Sequence, residues 1–412
     1  MQFQSVSDRS LDDYASVTDH DRMRRIRSAA DRLAGLRVLH VNSTATGGGV
    51  AELLSSLVPV FDDAGVETDW GVMDASTEFF EVTKSIHNGL QGRRSPLTDE
   101  MKATYRSVTD RNANAISDEY DIVVLHDPQS LGMIDTLVDR FPDTRFVWRC
   151  HIDLTAPTES HLEFVVDDVR RTDHVVFSHD EYGRGIDLPP STVIYPSIDP
   201  LAAKNRSLDR SELRAERDRL ESISFDVDTP VITQVSRFDP WKGQLGALEA
   251  YRRLATTFPD LQLVFVGGMA ADDPEGPRIF DRVATRAADD PDVHLLTNQP
   301  DTTVNFLQRR SDVVLQKSRR EGFGLIVSEA LWKRTPVVGS NVGGIPLQID
   351  DGESGYLVEP DDVDALAART ERLLADEALS TAFGHHGRAT VRDRFLVTRH
   401  LLEWLELFLA IR

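Results

Sequence analysis

The sequence predicts an α/β protein made of two successive domains, each built around a parallel sheet. The chain has 412 residues, a length at which chains usually divide into domains instead of building one larger hydrophobic core. Short β-branched runs alternate with longer amphipathic stretches, and strands that are apolar throughout are typical of parallel sheets covered on both faces by helices. This alternation occurs in two series, and a charged, proline-containing segment near residues 197–229 separates them.

The first series begins with a strand at Leu36–Asn42, followed by a glycine loop and a helix at Val50–Ala64. Four further strands are predicted in it: Asp121–His126, Thr144–His151, His174–Ser178 and Thr192–Tyr195. Six strands are predicted in the second series: Val231–Ser236, Leu261–Gly267, Val293–Leu296, Val313–Gln316, Pro336–Gly339 and Gly355–Val358. We therefore predict one domain over 1–197 and another over 203–389, with an amphipathic C-terminal helix within 390–412 returning to the first.

Charge and composition exclude several functional classes. The formal net charge of −22 repels phosphate backbones, so a nucleic-acid partner is not expected. The polar N-terminus and the lack of an 18-residue apolar run predict a cytoplasmic protein without a membrane partner. The single cysteine, Cys150, excludes an intrachain disulfide and a cysteine-rich metal site.

The kinds of charged residue point to a salty environment. The chain has 46 Asp against 22 Glu, and only 6 Lys against 40 Arg. An aspartate-rich, lysine-poor surface is what we expect of a halophile's cytosol, where salt screens the self-repulsion. An ordinary acidic mesophilic protein is the alternative.

A glycine triplet, 47–49, lies between the first predicted strand and the helix that follows it. Glycines let a backbone approach a ligand closely, and a helix N-terminus presents N–H groups to an anion. Gly48 and Gly49 are therefore candidate anion-binding residues. The triplet is not a G-x-G-x-x-G fingerprint and no P-loop lysine follows it, so nicotinamide and P-loop sites are not predicted. A plain tight turn is the alternative.

Two cations follow a strand of the second series, directly before a helix. Arg237 offers a planar fork for phosphate oxygens, and Lys242 adds a point charge five residues later. A diphosphate is the ligand that this pair suits. The alternative is two solvated cations that balance local acids.

Two glutamates, Glu321 and Glu329, flank a glycine-rich turn and the start of a helix. Carboxylates accept hydrogen bonds from pairs of hydroxyls, so a sugar and a ribose are credible partners. The residues between them that belong to the same candidate site are Gly322, Phe323, Gly324 and Leu325. The spacing does not fix the distance between the carboxylates, so we do not predict a hydrolytic pair.

Polar groups also end strands of the first series. His151 ends one predicted strand, and Asp127 and Gln129 follow another. Each can hydrogen-bond a ligand hydroxyl, although a lone histidine is as often structural. Glu78 lies in a stretch that mixes aromatic and polar residues, as in sugar-binding loops or a packed helix. No cluster with metal-ligand spacing occurs, so no metal site is predicted.

Together these residues resemble the retaining glycosyltransferases of family GT4, and within it the trehalose glycosyltransferring synthases. Besides Arg237, Lys242 and the two glutamates, the segments that carry the resemblance are His40–Leu53, Thr77–Gly92, Val124–Gln129, Trp148–Asp153 and Gln316–Gly324. The resemblance covers about residues 30–360. It implies the GT-B fold, with two facing Rossmann-like α/β/α domains and an interdomain cleft.

The resemblance also implies an activity: reversible transfer of glucose from a nucleoside diphosphate glucose to free glucose, forming α,α-trehalose. UDP-, ADP- and GDP-glucose are the possible donors, and no metal or other cofactor is required. The similar trehalose phosphorylases use glucose 1-phosphate instead. A GT4 transferase with another acceptor and a catalytically silent nucleotide-sugar-binding regulator are further alternatives. The partners are then small molecules, with a homodimer as a possible assembly.

Roles follow from the resemblance residue by residue. Arg237 and Lys242 would neutralise the leaving diphosphate, assisted by the N–H groups of Gly48 and Gly49. Glu329 would bind the ribose, and Glu321 a hydroxyl of the donor glucose. His151 would bind the C6 hydroxyl of that glucose. The acceptor-binding residues would be Asp127, Gln129, Glu78 and Arg149. The reaction would be a front-face attack in which the leaving phosphate takes the acceptor's proton.

The halophile hypothesis predicts that salt stabilises the fold. Raising KCl from about 0.1 M to about 1 M shortens the Debye length from ~10 Å to ~3 Å, which screens repulsion across a surface of net charge −22. We expect the melting temperature to rise over this range. A melting temperature that is indifferent to KCl would contradict the hypothesis.

Overall fold

A computed structural model describes residues 1–6, 9–46, 48–268 and 276–412. The chain divides into two compact units. The first unit comprises Met1–Ser197 together with Val397–Arg412, and the second comprises Ile198–Leu396. Each unit contains one sheet with helices on both faces.

The sheet of the first unit has seven strands in the order β1-β3-β2-β4-β5-β6-β7. The strands are β1 (Gln2–Phe3), β2 (Arg37–Asn42), β3 (Glu67–Val72), β4 (Ile122–His126), β5 (Arg145–Cys150), β6 (His174–Phe177) and β7 (Ser191–Val193). Every pairing is parallel except that of β1, which runs antiparallel along the edge of β3.

The sheet of the second unit has six parallel strands in the order β10-β9-β8-β11-β12-β13. The strands are β8 (Val231–Val235), β9 (Gln262–Gly267), β10 (Val293–Thr297), β11 (Val313–Gln316), β12 (Val337–Ser340) and β13 (Gly355–Val358). All residues of β8, β11 and β12 are buried, as expected for strands covered on both faces.

Helices of the first unit follow its strands in the α/β pattern, after a short 3₁₀ turn at Leu11–Tyr14. They are α1 (His20–Arg32), α2 (Gly49–Ala64), α3 (Thr77–Leu90), α4 (Asp99–Asn114), α5 (Asp127–Leu131), α6 (Ile134–Arg140) and α7 (Glu159–Arg170). The second unit contains α8 (Arg210–Glu221), α9 (Gln244–Leu254), α10 (Gly276–Ala287), α11 (Asp301–Arg310), α12 (Leu325–Trp332), α13 (Val363–Ala375) and α14 (Glu377–Arg394). The last helix, α15 (Val397–Ile411), belongs to the first unit.

The two faces of the first sheet differ in chemistry. Leu39 and Leu125 lie on the face that packs against α3, α4, α6 and α7 in an apolar core. Their neighbours in the sequence, His40 and His126, point to the opposite face, since successive strand residues alternate. There Trp404 of α15 contacts the His40 ring, with 5.7 Å between ring centroids. The α15 helix therefore covers a sheet face that includes buried polar groups.

Most strands were predictable because they are buried apolar runs, but β1 and β3 were not predicted. In β3, exposed Glu67 and Asp69 alternate with buried Thr68 and Trp70, because β3 lies near the edge of the sheet. The pattern of β3 is thus not a continuous apolar run. The C-terminal helix begins at Val397 and not, as predicted, at residue 390. Residues 390–394 are the end of α14, and residues 395–396 are the turn after it; both belong to the second unit.

Within the described residues, no helix combines the length and the apolar composition needed to cross a membrane.

Candidate active site

In each sheet the candidate residues lie where the strand order reverses. The sequence-adjacent strands β8 and β9 extend the second sheet to one side, whereas β11 and β12 extend it to the other. Helix α9, after β8, packs with α10 and α13 on one face, and Ile326 of α12, after β11, packs with α8 and α11 on the other. The helices after β8 and β11 therefore go to opposite faces of the sheet, and such a point is where open α/β sheets bind ligands.

An ion pair joins these two loops. Lys242 Nζ donates to Glu321 Oε2 at 2.6 Å, and the side chains are 18% and 10% exposed. The same oxygen accepts from Gln316 Nε2 and from Ser318 Oγ, each at 2.9 Å. Burial alone would raise the pKa of Glu321, but the Lys242 charge and these hydrogen bonds outweigh it and lower that pKa. Glu321 is thus held as a carboxylate.

Two glycines shape these loops and cap the helices that follow them. Gly243 has φ +65°, and a Cβ there would lie 2.1 Å from the carbonyl oxygen of Lys317. Gly324 has φ +81°, and a Cβ there would lie 3.1 Å from Glu321 Cγ. These glycines are the N-caps of α9 and α12, and Gly48 is the N-cap of α2. Glycine brings no side-chain cap, so these N-termini can receive an anion.

Arg237 lies in the loop after β8 with an exposed side chain. Its carbonyl oxygen accepts from Gln244 Nε2 at 2.8 Å, which ties the loop to the first residue of α9. The neighbouring Trp241 ring lies 5.6 Å from the guanidinium carbon of Arg320, in the loop after β11. The backbone of Arg237 is thus fixed while its guanidinium lies at the surface.

Glu329 lies on the second turn of α12. Its side chain is 1% exposed, so it is not a solvated helix residue. Oε2 accepts from Gln308 Nε2 at 3.1 Å, and Oε1 lies 3.5 Å from Lys204 Nζ without a hydrogen bond from any described residue. Glu329 is therefore a buried carboxylate with an unused acceptor position.

Sequence reasoning missed three lysines that lie in this part of the second unit. Lys204 approaches Glu329, and Lys333 Nζ donates to the Glu329 carbonyl at 3.1 Å and to Asn205 Oδ1 at 2.8 Å. Lys317 Nζ donates to the carbonyls of 359 and 360, at 3.1 and 2.5 Å. The scarcity of lysine could have indicated them: the chain has only 6 lysines, so each lysine in the second unit was a candidate for a specific role.

The first sheet reverses its order between β2 and β4, and the second candidate cluster lies there and at the end of β5. Asp127 directly follows β4, with φ +59°. Its Oδ1 accepts the backbone N–H of His151 at 2.7 Å. The structure thus brings Asp127 and His151 together, although 24 residues separate them in the sequence. Burial raises the pKa of Asp127 to about 7.

A tyrosine holds the short helix that carries Asp127 and Gln129. The Tyr105 hydroxyl donates to the Pro128 carbonyl at 2.7 Å and accepts from the Gly132 N–H at 2.8 Å. The hydroxyl therefore stands between the Pro128 carbonyl and the Gly132 N–H, in place of the direct hydrogen bond that a continuing helix would form between them. This insertion ends α5. Gln129 is half-buried, and its Oε1 accepts no hydrogen bond within the described part of the chain.

Two candidate acceptor residues lie apart from this cluster. Glu78 is exposed on the first turn of α3, in a helix rather than a loop, and its Oε1 lies 3.5 Å from the Thr104 hydroxyl. Arg149 is fully buried on β5, and its Nη2 donates to Ser178 Oγ and to the Ile194 carbonyl at 3.1 and 2.8 Å. Burial lowers the pKa of Arg149 to about 10.

The remaining candidates are the glycine loop and a possible metal site. Gly49 is the first residue of α2, and a Cβ on Gly48 would meet nothing within 4 Å. Gly47 lies outside the described residues. Over the ranges that the structure covers, no group of three or more His, Cys, Asp or Glu is placed to hold a metal ion.

Two family models match the chain. "Trehalose synthase, N-terminal domain" matches residues 40–184, and "Glycosyl transferases group 1" matches residues 216–390. The trehalose synthase of Pyrococcus horikoshii is 42% identical over 98% of this chain and 97% of its own length. That of Rubrobacter xylanophilus is 42% identical over 97% and 96%. The trehalose phosphorylase of Pleurotus pulmonarius is 29% identical over 96% of this chain but 60% of its own length.

Solved structures share the fold. An α,α-trehalose-phosphate synthase (UDP-forming) from Burkholderia vietnamiensis has a TM-score of 0.71 at 16% identity, covering 91% of this chain and 96% of its own. Anabaena HepE in complex with UDP and glucose has a TM-score of 0.67 at 18% identity, covering 91% and 100%.

The raised pKa of Asp127 predicts a pH-dependent stability. A folded-state pKa of about 7 against an ordinary 3.8 means that the protonated carboxyl favours the fold. Its stabilising contribution is complete below about pH 4 and is lost as the pH rises to about 7. The Asp127→Asn variant keeps an acceptor for the His151 N–H but has no carboxyl to ionise. Between about pH 4 and pH 7 its free energy of unfolding, measured by urea denaturation, should therefore rise relative to that of wild type. The exposed Asp118→Asn variant is the control, and curves for Asp127→Asn that stay parallel to wild type would contradict the prediction.

Proposed function

This chain belongs to the trehalose synthase family within the GT4 glycosyltransferases, and on that premise we propose that it forms α,α-trehalose from a nucleoside diphosphate glucose and free glucose, reversibly. Its two units have the Rossmann-like architecture of the GT-B fold. Membership of this family makes the chain a glycosyltransferase of trehalose-related transfer. Our proposal adds the donor, the acceptor and the reversibility. The observation that carries it is the Lys242–Glu321 pair beside two glycine-capped helix N-termini.

The donor's diphosphate is the group that this arrangement suits best. When the glycosidic bond to the diphosphate breaks, negative charge develops on the leaving oxygen. Fixed positive groups there lower the barrier, because they need no reorganisation during the reaction. Lys242 is held in place by Glu321. Arg237, five residues earlier in the same loop, is exposed and is the second proposed cation. The N–H groups of Gly48 and Gly49, and those of the 322–325 turn, are further proposed donors to the diphosphate.

The carboxylates suit the hydroxyls of the donor. Glu321 is held ionised by Lys242, so it can accept from a glucose hydroxyl. The Oε1 atom of Glu329 receives no hydrogen bond from the described residues, so a ribose hydroxyl would supply one. HepE was crystallised with UDP and glucose, which supports a nucleotide sugar here.

The sugars themselves are assigned to residues of the first unit. His151 is the proposed partner of the C6 hydroxyl of the donor glucose, and Asp127 is the proposed acceptor-binding group beside it. Gln129, on the same short helix, has an acceptor oxygen that no described residue uses, so a sugar hydroxyl can donate to it. Arg149 and Glu78 are proposed as further acceptor-binding residues. Arg149 does so from within the sheet, and Glu78 from the surface of α3.

We assign a front-face reaction to this site. The acceptor hydroxyl attacks the anomeric carbon from the side on which the diphosphate leaves, and its proton passes to a leaving phosphate oxygen. The new bond then has the configuration of the bond that breaks. Charge neutralisation is assigned to Arg237 and Lys242, so the chain's own cations perform the electrostatic work in this scheme.

A trehalose phosphorylase is the second candidate, because the Pleurotus enzyme is similar over 96% of this chain. In that reaction inorganic phosphate and glucose 1-phosphate replace the nucleotide, and the buried Glu329 has no ribose to bind. The trehalose synthases are more similar, at 42% against 29% identity.

The acidic surface supports a cytoplasm rich in salt as the setting of the reaction, so assays belong in molar KCl.

Product analysis tests the proposal. The protein is incubated with glucose and, separately, UDP-, ADP- or GDP-glucose or glucose 1-phosphate, and the sugar formed is identified by NMR. We expect trehalose from a nucleotide sugar, and the rates identify the preferred base. Trehalose from glucose 1-phosphate alone would make the chain a phosphorylase. Transfer from a nucleotide sugar to other acceptors but not to glucose would overturn the proposed acceptor.

Lys242→Ala should impair use of the donor. The variant removes a charge-assisted contact to phosphate, typically worth ~1.5–3 kcal/mol, so kcat/KM for the nucleotide sugar should fall about 10- to 150-fold. It also leaves Glu321 buried without its cation, so the pKa of Glu321 should rise. Steady-state kinetics and nucleotide titration check the first effect.

Lys102→Ala is the matched control: the Lys102 ammonium pairs with Asp99 at 3.5 Å and lies 6.0 Å from the centre of the Phe164 ring, and neither partner is assigned to the donor site. The control should keep wild-type kinetics. Unchanged turnover of nucleotide-glucose by Lys242→Ala would remove Lys242 from the diphosphate site.

A further inference from the structure

Three histidines form a hydrogen-bonded row across the first sheet. His40 lies on β2, His126 ends β4 and His151 follows β5. His40 Nδ1 lies 2.9 Å from His126 Nε2, and His126 Nδ1 lies 2.9 Å from His151 Nε2. His40 and His126 are buried, and His151 is half-buried. The row therefore runs from the interior to the end of the sheet where Asp127 lies.

The inner end of the row is apolar. The rings of Phe61 and Trp404 flank His40, with centroids 6.0 and 5.7 Å from its own. The Nε2 atom of His40 is buried and makes no hydrogen bond with any described residue. Burial lowers the pKa of His40 to about 3, and it lowers the pKa values of His126 and His151 well below the ordinary range. All three imidazoles are therefore neutral, each with one N–H and one lone pair.

A row of neutral imidazoles has only two polarities. In the first, His40 Nδ1–H donates to His126 Nε2, and His126 Nδ1–H donates to His151 Nε2. His151 then carries its proton on Nδ1. In the reversed polarity every proton moves to the other nitrogen, and the N–H of His40 Nε2 is buried without an acceptor among the described residues. Buried N–H groups without a partner are rarer than unsatisfied acceptors, which favours the first polarity.

We propose that His40 and His126 are positioning residues that hold His151 in its Nδ1–H form, so that His151 is a hydrogen-bond donor to the substrate. The assignment rests on the proposed function, in which His151 meets the C6 hydroxyl of the donor glucose. With Nε2 engaged by His126, the ring has one orientation and offers one N–H. The sugar oxygen must then act as acceptor, and its own proton is left for another partner.

Nitrogen-15 NMR of the protein labelled at histidine tests the polarity without any substrate. Loss of one imidazole spin system in His151→Phe assigns His151. We expect His151 to show a protonated Nδ1 and an unprotonated Nε2. A protonated Nε2, or a mixture of both tautomers, would overturn the proposal. Because no turnover is involved, this result does not depend on the proposed function.

Two substitutions at residue 126 test the effect on the reaction. The side-chain amide of His126→Asn can still donate toward His151 Nε2, whereas His126→Leu cannot. Losing one net hydrogen bond should lower kcat/KM for the donor about tenfold in the leucine variant and leave His151 as a mixture of tautomers. The asparagine variant should restore both the activity and the single tautomer.

Equal losses of activity in the two variants, with the His151 tautomer unchanged in both, would show that residue 126 only fills space and would overturn the proposal. If wild type and variants all fail to make trehalose, the proposed function fails. The tautomer of His151 and its rescue by asparagine still decide the polarity in that case.

Discussion

Covering both faces of a parallel sheet with helices is the constraint on which the rest of this protein depends. A strand buried in this way has little place for a polar side chain along its length, so polar chemistry moves to the residues after its carboxyl end. The loops after β8 and β11 show the result. Lys242 and Glu321 meet there at 2.6 Å, although 79 residues separate them in the sequence. The helices that follow begin at glycines, which leaves their N-termini open to an anion.

The first unit departs from this rule on one face of its sheet. His40, His126 and Arg149 are buried polar groups within strands, and a buried polar group destabilises the fold unless it has partners. Neighbouring strands and the segments after them supply some of these partners: His40 bonds His126, and Arg149 Nη2 donates to Ser178 Oγ and to the Ile194 carbonyl. A helix, α15, covers this face and has polar contacts of its own. Trp404 Nε1 donates to His400 Nε2 at 2.9 Å, so the Nδ1 of a neutral His400 carries the proton and donates to Ser197 Oγ at 2.9 Å. The histidine row thus lies beneath a helix that is itself fixed by a histidine.

Sequence patterns predicted those parts of the fold that rest on local apolar runs. They failed at β3, where Asp69 and Gly71 interrupt the run near the sheet edge. At Glu78 they left a loop and a packed helix open, because the two have similar composition, and the structure has the helix. Motif residues such as Lys242 and Glu321 could be proposed from the sequence because residue type and position after a strand restrict their chemistry, and the structure brings these two into contact.

The contacts among the candidate residues were out of reach of the sequence for a different reason. His40 and His126 are 86 residues apart, and only the pairing of β2 with β4 brings them together. The same holds for Tyr105, whose hydroxyl ends α5 from a neighbouring helix. The order of strands is a property of the whole sheet, and neither spacing nor composition encodes it locally.

The discontinuity of the first unit has a consequence for how the chain is made. Residues 198–396 form the second unit without interruption, so this unit can fold as soon as the ribosome has released it. The first unit lacks α15 until Val397–Ile411 has emerged, and during that interval His40 and its neighbours on the sheet lack Trp404 as a cover. The unit that is synthesised first is therefore the one that is completed last.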